Sequence, residues 1–234
     1  MKPTAEFYTA LQVAYDHFNL TLFKEELPQV IFTTQRQKGM MGYFSPDRWG
    51  SDNGKQCHEI AINPLYVGSS TLIELMQTLV HEMAHCWQYC KGKPSQRAYH
   101  NKEWSNKMVS IGLIPSTTGK PGGKLVGQHM NDYLEPKGLF ITECINLLRQ
   151  KQFRLPWVDK YSLMHRQPHS IKASQSLEIT NALADVDDEL ATQLTTGFAH
   201  LFDEAQFEVQ RLESSKKVKS KYSCSDCGIN VWGK

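Results

Sequence analysis

The run His81-Glu82-Met83-Ala84-His85 puts two imidazoles four residues apart, with a carboxylate directly after the first. On a helix, residues at that spacing share a face, so both rings can reach one metal ion. Glu82 sits one position past the first ligand. It can stand beside the metal without ligating it, within reach of a bound water. Zinc in such a site brings the pKa of water down towards about 7 and polarises a carbonyl. Glu82 would accept the water proton and pass it to the leaving amine of a peptide bond. The expected chemistry is zinc-dependent peptide hydrolysis, with His81 and His85 as metal ligands and Glu82 as the catalytic residue.

A third ligand has to come back to this helix from elsewhere. His100 lies beyond the break at Gly92-Lys93-Pro94 and opens the next expected helix, with Trp104 one turn further on to pack beneath it. His100 is the preferred ligand. His129, in a Gly-rich loop, and Glu103 are the alternatives. His129 also reads as a pocket-wall group or a plain loop residue. Tyr133 reads as a hydrogen-bond donor to a transition state or a packing residue.

The elements that must position these groups follow from patterning. Phe7, Leu11, Ala14, Tyr15 and Phe18 recur at helical spacing over residues 4–19. Short strands are expected at Val30-Ile31-Phe32 and at residues 40–44, with residues 45–55 as a turn or loop. His58–Asn63 alternates like a half-buried strand, and its edge is a candidate for pairing with an extended peptide. Thr71 and Glu74 have capping-box spacing, and Leu72, Leu75, Met76, Leu79, Val80 and Met83 give the metal helix an apolar face running to about Tyr89. A buried helix carrying two histidines and a glutamate needs a reason, because unpaired polar groups are costly inside a protein. Another helix is expected over 97–111, loop over 115–138, a helix around Cys144 and Leu148, a polar linker over 165–178 and a long helix over 182–212.

With 234 residues, 40% of them hydrophobic, the chain can bury a substantial core. Its net charge of +2 identifies no partner. No apolar run reaches membrane-spanning length, so no membrane association is expected. The opening residues Met1–Glu6 lack a signal-peptide apolar block, which makes the cytoplasm the expected location. Cys224 and Cys227 form the one tight cysteine pair, which in a reducing compartment reads as a metal knuckle and a candidate second, structural zinc site.

The segment Thr78-Leu79-Val80-His81-Glu82-Met83-Ala84-His85-Cys86-Trp87 resembles the SprT-like metalloprotease family, which includes the Spartan-type DNA–protein crosslink proteases. The resemblance covers about residues 5–135. It extends to the His100–Trp104 element, to Ile60-Ala61-Ile62-Asn63-Pro64 and to a Cys-x-x-Cys ribbon after the catalytic part. It implies an α+β, zincin-like catalytic domain over 1–138, with a small antiparallel or mixed sheet packed on the H-E-x-x-H helix. A mostly helical extension over 139–220 and a partial zinc ribbon over 221–234 would follow. In the family a histidine after the motif helix is the third ligand, which supports His100. Two departures stand out: Tyr99-His100-Asn101 replaces the common Gly-His-Gly, and the ribbon has two cysteines where the family has four ligands.

The resemblance also implies DNA-linked proteolysis. Lys91, Lys93, Arg97, Lys102, Lys107, Lys120 and Lys124 make residues 91–124 basic, against one acidic residue, Glu103. Of these, Lys91, Lys93, Arg97, Lys120 and Lys124 are the candidate DNA contacts, which would add the nucleoid to the expected location. Competing readings are a DNA-binding adaptor with purely structural zinc, and a metallopeptidase unrelated to DNA.

Overall fold

The computed structural model describes residues 2–96, 99–151, 153–159, 162, 182–196, 198, 220–223 and 230–233. The chain divides into two compact units, residues 1–198 and 199–234. In the first unit, helix α1 (Pro3–Phe23) is followed by strands β1 (Val30–Thr34), β2 (Gly42–Gly50) and β3 (Gln56–Ile62). A one-turn helix α2 (Pro64–Val67) then leads into α3 (Leu72–Lys91), which carries His81, Glu82 and His85. After α4 (Lys102–Ser110) come β4 (Leu113–Ser116), β5 (Asn131–Leu134), α5 (Leu139–Lys151) and α6 (Asp188–Thr195). The described part of the second unit is an antiparallel pair, β6 (Ser220–Ser223) with β7 (Asn230–Gly233).

This is an α+β arrangement. The main sheet has the order β1-β3-β2, with β1 parallel and β2 antiparallel to β3. The strand expected at 58–63 is therefore central. Both its edges are taken, and no peptide can pair with it; periodicity shows which residues face a core but not which strand lies at an edge. The free edge beside α3 belongs to β2. That strand also runs on to Gly50, through a stretch whose Ser-Pro-Asp composition reads as a loop. The register shifts between Ser45 and Trp49, and Asp47 sits at φ 48°, so the apparent loop contains a bulge. Pro46 is compatible with such a strand because edge strands tolerate a missing N–H. The Asp47 N–H donates to His58 Nδ1 (2.9 Å), and Tyr89 donates to Asp47 Oδ2 (2.6 Å), pinning the bulge to the end of α3.

The expected capping box starts α3. The Thr71 N–H donates to Glu74 Oε2 (2.8 Å), and the Glu74 N–H donates to Thr71 Oγ1 (3.4 Å). One side of the helix buries Leu72, Ile73, Met76, Leu79, Val80 and Met83 against α1 and the sheet. At about 1.5–3 kcal/mol per large apolar side chain, this burial anchors the helix more strongly than its caps do. Gly42 sets how closely β2 approaches. A Cβ there would lie 2.9 Å from the Ala61 carbonyl oxygen, 3.1 Å from Thr78 Cγ2 and 3.5 Å from Glu82 Cγ.

The division expected after residue 138 is not a break in packing. Phe140, Ile141, Cys144 and Leu147 of α5, with Leu194 of α6, enter the same core as α1 and α3. Residues 115–138, expected as loop, hold the second half of β4 and all of β5. These strands pair antiparallel, with Pro115 opposite Asp132 and Ile114 opposite Tyr133. The expected linker over 165–178 lies outside the described residues, as do 197 and 199–212 of the expected 182–212 helix; in the described stretch the helix is α6, and residues 183–187 before it are not helical.

Candidate metal centre

His81 and His85 project from successive turns of α3, with ring centroids 5.1 Å apart. His100 reaches them from the chain just before α4. It does not open that helix, as its sequence position suggests, because Asn101 is the N-cap and accepts the Trp104 N–H (3.1 Å). His100 instead forms an isolated bridge with Gly127: its N–H donates to the Gly127 carbonyl (2.7 Å), and the Gly127 N–H donates back (3.1 Å). The approach loop is held by amide and carboxylate bonds. Gln88 Nε2 donates to Asn101 Oδ1 (2.7 Å) and Glu103 Oε2 (2.9 Å), and Glu103 Oε2 also accepts the Lys93 N–H (2.7 Å).

Of the three candidates for the third ligand, the structure brings His100 to the other two histidines. The potential ligand atoms of His81, His85 and His100 all lie within 4.8 Å of one another, the only such group among the described residues. Glu103 is committed to the loop, and bonds from the Lys93 N–H and Gln88 hold its carboxyl below the ordinary range. His129 is exposed in the loop before β5. Strand alternation turns Tyr133 to the opposite face from its neighbour Asp132.

Trp104 is the floor of the cluster. Its ring is fully buried, stacked on His85 (5.2 Å, 21° between planes) and edge-on to His81 (4.9 Å) and His100 (4.4 Å). Its indole Nε1–H is the one buried side-chain polar atom without a hydrogen-bond partner among the described residues. An unmade bond of this kind costs about 1–3 kcal/mol. The ring is placed to back three imidazoles at once.

The hydrogen bonds on the outer nitrogens give the cluster a metal-ready form. Asp132 Oδ2 lies 3.1 Å from His81 Nδ1, and a carboxylate can only accept, so Nδ1 carries the proton and Nε2 keeps its lone pair. The Gly127 carbonyl lies 3.2 Å from His100 Nδ1, with the same consequence. His100 Nε2 then faces His85 Nε2 at 3.1 Å. Two nitrogens at ~2.0–2.1 Å from one zinc, at a tetrahedral angle, would be about 3.3 Å apart. An all-imidazole set suits zinc, as it also suits copper, iron and nickel. Burial, together with the neighbouring His81, holds His85 well below the ordinary imidazole range and His100 at about 4, so both are neutral at neutral pH, as metal ligation requires. Burial also pulls His81 down, but Asp132 and Glu82 outweigh it and raise the ring.

Glu82 is buried beside this cluster. Burial raises its carboxyl above the ordinary value, against opposing pulls from His81 and from the Phe44 backbone of β2. The four residues thus comprise three neutral-capable metal ligands and one carboxyl of raised proton affinity.

Asp132 is the residue at this cluster that sequence reading passes over. It lies between the two residues singled out there, His129 and Tyr133, in a segment with no periodic signal. Of the basic candidates, Lys91, Lys93 and Lys124 are exposed and Lys120 is half-buried, whereas Arg97 lies outside the described residues. Lys107, counted in the basic stretch, is spent internally: its ammonium donates to the Leu22 carbonyl (3.0 Å) and lies over Phe23 and Trp87. Cys224 and Cys227 lie outside the described residues. No helix among the described residues is long and apolar enough to cross a membrane.

A buried three-histidine cluster with a neighbouring glutamate, on an α+β scaffold, defines a candidate metal site. The chain belongs to the SprT-like family, whose model matches residues 11–120, a span containing all three histidines and Glu82. A relative from Salmonella typhimurium, described only as an uncharacterized protein in the mucB 3′ region, is 48% identical over 59 residues, which cover 25% of this chain and 80% of the relative. No solved structure matches.

Proposed function

We propose that this protein is a zinc-dependent endopeptidase of SprT type with a zincin-like catalytic domain, acting on proteins bound or crosslinked to DNA. The observation that carries the hydrolytic part is the placement of buried Glu82 next to three converging imidazoles. A purely structural metal site has no use for a buried carboxyl at its edge, which weighs against the adaptor reading. His81, His85 and His100 would hold the zinc. When bound, zinc supplies Lewis acidity, polarising a carbonyl and acidifying water. Glu82 takes the proton of the attacking water at its carboxylate and releases it to the departing amine. The free edge of β2 is suited to align an extended peptide through main-chain hydrogen bonds, with little demand on sequence.

The DNA part is supported by family membership and by exposed Lys91, Lys93 and Lys124, with Lys120 and Arg97 as further candidate contacts. Cys224 and Cys227 fall in sequence between β6 and β7, a position suited to a structural zinc knuckle. Cytoplasmic or nucleoid-associated action would follow. The test is cleavage of a DNA-binding protein with and without DNA. The expected result is cleavage stopped by a chelator, restored by zinc, increased by DNA and progressively lost with added salt. Cleavage indifferent to DNA and salt would remove the DNA link and leave a general metallopeptidase. No cleavage with zinc present would overturn the hydrolytic reading.

A further inference from the structure

The outer nitrogens of two metal-facing histidines find their acceptors in one short segment, Gly127–Asp132, which lies beyond the stretch that carries the family match. Gly127 contributes its carbonyl and Asp132 a carboxylate. Asp132 is itself oriented: Gln77 Nε2, one turn before His81 on α3, donates to its other oxygen (2.9 Å). Its side chain is 8% exposed, so the carboxylate is spent on these two partners and scarcely on water. β5 holds Asp132 in place, opposite Pro115 of β4.

We infer that Asp132 is a positioning residue for the metal site. It fixes His81 as the Nδ1–H tautomer, aims its Nε2 lone pair into the cluster, and is held for this by Gln77. This inference rests on the metal reading of the three histidines. An imidazole whose tautomer is not fixed divides its population between a ligating and a non-ligating form and is free to turn about χ2. A fixed acceptor removes both losses and makes the ligating nitrogen more basic. His100 needs no such side chain, since the Gly127 main chain does the same for it. The segment after the family-matched region thereby becomes part of the site, acting through two histidines while touching neither metal nor substrate.

The test uses the full chain and two substitutions, Asp132→Ala and Asp132→Asn. Zinc affinity is measured by competition with a chromogenic chelator, and the tautomers are read from imidazole 15N shifts of the metal-free protein. Asp132→Ala should lower zinc affinity ~10–100-fold and lose the Nδ1–H signature of His81 while that of His100 persists. Asp132→Asn keeps an acceptor oxygen, so it should retain the His81 tautomer and lose less affinity. Wild-type affinity in Asp132→Ala, or an unchanged His81 tautomer, would overturn the inference. So would equal disturbance of His81 and His100, which would mean a merely structural role. If the wild-type protein took up no zinc, the metal reading would fall, and the tautomer spectra would still decide what Asp132 does.

Discussion

Helix α3 and the β4–β5 hairpin serve the same three imidazoles in opposite ways. The helix carries its chemistry as a linear pattern: a cap, an apolar stripe and H-E-x-x-H, each set by a local period. The hairpin carries its chemistry only through the fold. Gly127 and Asp132 have no motif, and they matter because pairing and a backbone bridge bring them to His100 and His81. A metal site here is thus half written in local sequence and half assembled by tertiary structure.

Substitutions on the two sides of that division should differ in kind. The largest effect is expected where they meet. His100→Ala removes the ligand that the hairpin bridge positions. Zinc content, measured by elemental analysis, should fall from one equivalent at this site to none, a greater loss than the ~10–100-fold typical of an outer partner. Retained zinc would make His129 or Glu103 the ligand after all. Trp104→Ala should cost about 3–5 kcal/mol of stability by denaturant unfolding, because it opens a cavity beneath all three rings. Trp104→Phe keeps most of the ring and removes the unpartnered N–H, so a loss as large as that of alanine would contradict the packing role.

Titration probes the same contrast. His85 and His100 are held below the ordinary imidazole value of 6.5, His100 at about 4. Below about pH 6.5 an unfolded chain binds protons that these two folded rings refuse. The metal-free protein should therefore lose stability as pH falls from about 6.5 towards 4, and keep it above 6.5. His81, raised by Asp132 and Glu82, acts with the opposite sign and only partly offsets the other two. A melting temperature in chelator that stays flat or rises towards pH 5 would contradict this. The smallest effect belongs to the purely local device: Thr71→Ala should cost about 1 kcal/mol, with metal affinity unchanged.

The same division explains what could be read in advance. The capping box, the apolar face of α3 and the convergence of His81, His85 and His100 follow from spacing and chain breaks. The central position of β3 does not, since alternation looks alike at an edge and in the middle of a sheet. The continuation of β2 through Pro46 and Asp47 is hidden by residues that favour turns. His100 was legible as a candidate ligand but not as a bridge residue, because its partner Gly127 is distant in sequence. Lys107 looks like surface charge until Leu22 and Phe23 are seen beside it. Asp132 needed the hairpin.

The central claim is that three histidines hold a metal while Glu82 moves the proton. The most direct measurement compares wild-type protein with Glu82→Gln, recording zinc content and peptide-bond cleavage on the same samples. Equal zinc with cleavage reduced by at least ~10²-fold is the predicted result. Equal zinc with undiminished cleavage would contradict the role given to Glu82, and zinc lost with the carboxyl would make it a ligand instead of a base.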